Sequence, residues 1–119
     1  MRTLDELNKL TLEWSKDRGI LTNGKATTQA LKLGSEFGEL CDNLAKGLSI
    51  KDDLGDMIVV ITNLAALEGL SLAECWNHAY DDIKDRKGFL NENGTFIKST
   101  DTSYKQLLIE FEDEETTIH

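Results

Sequence analysis

Apolar residues recur every three or four positions along most of this chain, and helix-capping chemistry brackets each run. Leu4, Leu7, Leu10 and Trp14 predict a first helix, opened by a Thr3/Glu6 capping-box pattern and closed by Gly19. Between Ile20 and Lys25 the pattern stops, and Thr22-Asn23-Gly24 is loop chemistry. A second helix is predicted from about Thr28 to Lys46, capped by Gly47, with Ala30, Leu33, Phe37, Leu40 and Leu44 as its apolar stripe. At 100° per residue, Gln29, Lys32, Glu36, Glu39 and Asn43 form a polar stripe along the edge of that face.

The third helix starts at Ser49, with Asp52 completing a weaker capping box. From Met57 to Leu67 it is apolar nearly all the way round, which predicts a helix surrounded by other helices or by a second subunit. Gly69 ends it, and Ser71 with Glu74 caps a fourth helix after a very short turn. That turn predicts antiparallel neighbours, with Leu72, Cys75, Trp76, Ala79 and Ile83 packed back onto the third helix. Gly88 terminates the fourth helix; Phe89-Leu90 and Thr95-Phe-Ile97 then flank Asn91-Glu-Asn-Gly94, a hairpin-like signal. From Ser99 onward Tyr104, Leu107, Leu108 and Phe111 make one amphipathic patch, a candidate short helix. The run Glu110 to Glu115 reads as a solvated or disordered acidic end. The expected fold is all-α: a four-to-five-helix bundle over residues 1–98, assembled as an oligomer, with an acidic tail over 99–119.

Composition narrows the function classes. At 119 residues and 13.3 kDa the chain supports a single core. A net charge of -9 and a pI near 4.6 oppose binding to a nucleic-acid polymer or an anionic membrane surface. Cys41 and Cys75 lie in apolar helical contexts without a ligand-spaced partner, which reads as two buried free thiols. The N-terminus lacks an apolar signal core and the Met57–Leu67 run is too short to span a bilayer, so a soluble, cytoplasmic protein is expected. His78 and His119 have no partner at ligand spacing.

Two acidic pairs stand out: Glu36 with Glu39, and Asp53 with Asp56, each spaced i, i+3. On helices that spacing aims both carboxylates of a pair the same way. Two such helices side by side make a four-carboxylate box, whose self-repulsion is relieved by raised pKa values or by a hard cation, here read as magnesium, with manganese as a substitute. Asp53, Asp56, Val60 and Asn63 lie near one line of the third helix. An ionised aspartate buried in that setting needs a metal or a cationic partner. Asn63 is a candidate substrate hydrogen-bonder or the filler of a polar gap, and Trp14 a candidate base-stacking ring or a core aromatic.

The order and gap of the pairs, with Trp14 and Arg18-Gly-Ile20, Gln29 and Lys32-Leu33 before them and Ala79-Tyr-Asp-Asp-Ile-Lys-Asp-Arg-Lys-Gly88 after, resemble the MazG-like nucleotide pyrophosphohydrolases of the all-α NTP pyrophosphatase superfamily. The resemblance covers about Leu4 to Lys98. It implies an oligomeric helical bundle, a homodimer or homotetramer, that cleaves nucleoside triphosphates to a monophosphate and pyrophosphate in nucleotide-pool house-cleaning. Glu36, Glu39, Asp53 and Asp56 would be magnesium ligands, with Glu39 or Glu36 as the base. Lys84, Arg86 and Lys87 would hold phosphates, with Lys32 a further substrate contact. The sequence departs from the family pattern at Ser35 and Asp53, where Glu is usual, and at Asp81, where many relatives have Asn. Phosphoribosyl-ATP pyrophosphohydrolase is a more distant enzymatic alternative of the same fold. The alternative of another class is a non-catalytic acidic helical module that binds a protein partner or a nucleotide.

Overall fold

The computed structural model describes residues 1–117, with side chains through residue 113. Its helices are α1 (Leu4–Asp17), α2 (Ile20–Asn23), α3 (Ala26–Ala45), α4 (Lys51–Leu67), α5 (Leu72–Ile83) and α6 (Tyr104–Thr117), with a hairpin of β1 (Gly88–Leu90) and β2 (Phe96–Lys98) before α6. The protein is mostly helical, in keeping with the all-α expectation. It divides into two compact units, Met1–Asn77 and one beginning at His78.

In the first unit α1 begins at the reciprocal cap foreseen for it: the Glu6 amide donates to Thr3 Oγ1 at 3.1 Å, and the Thr3 amide donates to Glu6 Oε1 at 3.4 Å. The expected loop after it contains the one-turn helix α2, closed by the Gly24 amide donating to the Ile20 carbonyl at 2.8 Å. The turn is so tight that a Cβ at Gly24 would stand 2.2 Å from that carbonyl oxygen. α3 ends in a Schellman cap at Gly47 (φ 72°), with the Leu48 amide donating to the Asn43 carbonyl at 2.9 Å. The short connection then lays α4 along α3. At the start of α4 the Ser49 hydroxyl accepts from the Lys51 amide at 3.3 Å, so the expected box with Asp52 is replaced by a tighter local turn.

The faces these helices turn inward differ from the expected stripes. On α1 the side buried against its neighbours carries Asn8, Thr11, Leu12 and the fully buried Ser15, while Leu4, Leu7, Leu10 and Trp14 remain 41–70% exposed. On α3 the half-buried line is Ala26, Gln29, Leu33, Glu36, Leu40 and Asn43, while Phe37 and Leu44 are exposed. Cys41 shares that outer face, so it is exposed and only Cys75 is half-buried. Val60 is the buried hydrophobic residue among the described residues, and Asp53, Thr62 and Asn63 are buried with it on α4. Of the face expected to fold back, Leu72 and Cys75 are half-buried in the first unit while Trp76 is 61% exposed. A short connection bounds the distance between two helices but not the angle at which the second departs.

In the second unit the hairpin pairs Gly88 with Lys98, Phe89 with Ile97 and Leu90 with Phe96. Its turn is tied by Asn91 Oδ1, which accepts from the amides of Asn93 at 3.0 Å and Thr95 at 2.8 Å. The amphipathic patch expected as a candidate short helix is helix α6, which continues into the acidic run and is anchored where the Phe89 ring meets those of Tyr104 (5.8 Å) and Phe111 (5.2 Å). Among the described residues no single helix is long and apolar enough to cross a membrane.

Candidate functional site

The inward turn of α3 brings its acidic pair to α4. Glu36 is half-buried, and its Oε2 is buried with no hydrogen-bond donor. Burial raises the Glu36 pKa above its usual value; the charges of Glu39 and Asp56 raise it further, and Lys32 opposes them. Glu36, whose buried oxygen has no donor, therefore feels two of the other three expected acids.

Asp53 is solved differently. It is 5% exposed and accepts a hydrogen bond at 2.9 Å from Asn43 Nδ2, one α3 position in line with Glu36. That charge-assisted bond compensates the buried carboxylate and fixes its orientation. No three His, Cys, Asp or Glu side chains among the described residues converge on one metal position. The acids lie along the α3–α4 seam without converging into the expected box, with Asp53 held by Asn43. In donor chemistry they suit a hard divalent cation, and Glu36 Oε2 is a buried oxygen that accepts no hydrogen bond from the protein.

The other predicted residues fall elsewhere. Asn63, 3% exposed, has its Oδ1 engaged by the Ser15 hydroxyl at 2.5 Å across α1 and α4, so it fills a polar gap between these helices. Trp14 lines an open groove of about 410 Å³ with Arg2, Leu7, Leu10, Thr11 and Val59, and the Arg18 guanidinium lies 4.4 Å from its ring centroid. Lys84, Arg86 and Lys87 belong to the second unit. There Lys84 pairs with Asp81 at 3.2 Å and Arg86 with Asp82 at 3.0 Å, on exposed side chains where such pairs contribute about 0–1 kcal/mol.

No protein-family model matches the chain. No solved structure matches it either. Over 67 residues, 55% of this chain, it is 40% identical to an uncharacterized 18.2 kDa protein in the rep-hol intergenic region of Haemophilus phage HP1 (strain HP1c1). The chain covers 41% of that protein's length.

Two residues that matter to this geometry escaped the sequence reading. Asn43 was visible on the polar stripe, seven positions after Glu36, but its carboxylate partner was not. Ser15 carried no signal beyond a small polar residue beside Trp14.

Proposed function

We propose that the chain is a magnesium-dependent nucleoside triphosphate pyrophosphohydrolase that converts a (deoxy)nucleoside triphosphate to the monophosphate and pyrophosphate. The observation that carries this reading is the buried, donorless Oε2 of Glu36, set among Glu39 and Asp56. A buried carboxylate oxygen surrounded by like charge is costly to keep unless a proton or a cation completes it. Glu36, Glu39, Asp53 and Asp56 would hold the ion, which when bound would neutralise phosphate charge and lower the pKa of a water.

The chain's own residues supply the remaining steps. Glu39, more exposed than Glu36, is the carboxylate that water can reach and is assigned the proton. Asn43 orients Asp53. In the second unit, taken by itself, Lys84, Arg86 and Lys87 are exposed cations, the first two in weak aspartate pairs that a phosphate would displace. Lys32 supports the acids electrostatically. The reading includes assembly as a homodimer or homotetramer.

The test is incubation with a panel of nucleoside triphosphates and magnesium. Pyrophosphate from at least one is the expected result. None from any would replace this reading by a non-catalytic acidic module.

A further inference from the structure

Two buried side-chain atoms among the described residues lack a hydrogen-bond partner, Glu36 Oε2 and Asn8 Oδ1. Both are acceptors, so each needs a donor or a cation and neither can serve the other. The first belongs to the acidic seam, and the second lies on the inward side of α1, which also carries Thr11 and Ser15. A buried acceptor without a donor has given up its hydration for nothing, and two of them in one small unit point to something else that donates there.

The packing of α1 on α4 sets where Asn8 stands. The Ser15 hydroxyl donates to Asn63 Oδ1 at 2.5 Å, and four residues earlier on each helix Thr11 and Val59 line one groove. Equal steps in the same direction mean that α1 and α4 run parallel. Asn8 and Asp56 each lie seven residues, about two turns, before the Ser15–Asn63 bond, so this register brings Asn8 level with Asp56. Asp56 is also the α4 acid whose charge acts on Glu36. α4 therefore packs between the two donorless oxygens, with α3 carrying one and α1 the other. We propose that Asn8 is a further positioning residue of the acidic seam, its Oδ1 accepting a hydrogen bond from a water of the magnesium ion that Glu36 and Asp56 hold. The inference rests on the reading of that seam as a magnesium site. A neutral amide suits the role: magnesium keeps several of its waters and makes them stronger donors, and the amide oxygen accepts from one without adding to the charge of four acids.

Calorimetric titration of the nucleotide-free full chain with magnesium, with thermal circular dichroism beside it, tests the proposal. Asn8→Leu keeps the shape of the side chain and removes the acceptor. It should weaken magnesium binding about tenfold or more, while the melting temperature without magnesium stays the same or rises, because no hydrogen bond within the protein is lost. Asn8→Asp keeps an acceptor and adds charge. Without magnesium it should melt below the wild type, and its rise on adding magnesium should exceed the wild-type rise. Should Asn8→Leu melt lower without the ion or fail to fold, its affinity reports packing and Asn8→Asp alone decides. Unchanged affinity in a folded Asn8→Leu, or a rise in Asn8→Asp no larger than in the wild type, would overturn the role of Asn8 and leave the pyrophosphohydrolase reading standing. A wild type that binds no magnesium would remove the metal site itself, and with it both readings.

Discussion

The inner face of α3 and the outer face of α1 invert the usual order of a globular protein. The first turns Glu36 and Asn43 inward beside a buried Asp53, while the second turns three leucines and a tryptophan outward. Each arrangement costs free energy in this chain: one desolvates carboxylates, the other leaves apolar area in water. They differ in what relieves them. The acidic seam is relieved by a proton, an amide or a cation, all small and local, whereas the α1 stripe needs another apolar surface of its own length. One face is costly through charge and the other through exposed apolar area.

Substituting the acids gives the largest expected effect. Asp56→Asn or Glu39→Gln should lower pyrophosphate release by at least about a hundredfold while the helical circular dichroism is unchanged. Full activity in either variant would place the acidic seam among solvated surfaces and dissolve the contrast with α1.

Next is the amide that compensates Asp53. Asn43→Ala leaves a carboxylate that is 5% exposed without its donor. It should cost about 2–4 kcal/mol, read from urea unfolding. A loss below about 0.5 kcal/mol would mean that water already serves Asp53 and that the seam is wetter than its burial implies. Ser15→Ala sharpens the comparison on the helix that carries the stripe. It strands the buried Asn63 oxygen and should cost about 1–3 kcal/mol.

The smallest effect is a pH dependence. The folded-state pKa of Glu36 is raised above 4.5, so below that value both folded and unfolded forms are protonated and there is no penalty. As pH rises through the raised value the folded state is disfavoured, and the deficit persists at neutral pH. Glu36→Gln should therefore raise the melting temperature at pH 7 and leave it unchanged near pH 4, as followed by thermal circular dichroism. Magnesium should stabilise the wild type at pH 7 and have less effect on Glu36→Gln. Equal shifts for both proteins would separate the ion from Glu36.

Much of this molecule was legible in its sequence because capping and turn chemistry act over a few residues. Thr3 with Glu6, Ser71 with Glu74, and Gly47 and Gly69 at helix C-termini sit where local hydrogen bonding requires them. The alignment of Asp53, Asp56, Val60 and Asn63 follows from helical periodicity alone. The rotation of each helix about its own axis was less legible. The apolar stripe of a helix faces apolar surroundings, but the sequence does not say whether those lie in the same chain. That ambiguity misled the inward faces of α1 and α3 and the burial of Cys41. It also concealed that Phe89, Tyr104 and Phe111 join α6 to the hairpin, since no local rule links residues so far apart.

The sequence by itself determined the long helices, the caps at Thr3 and Ser71 and the glycine stops, the hairpin turn and the spacing of the two acidic pairs, because each is settled by neighbours within about one turn. The tertiary structure decided which edge of α3 meets α4. With it came the buried Glu36 oxygen, the Asn43–Asp53 bond, the Ser15–Asn63 bond and the outward stripe of α1. These depend on which surfaces exclude water from which, a balance struck over the whole packed unit.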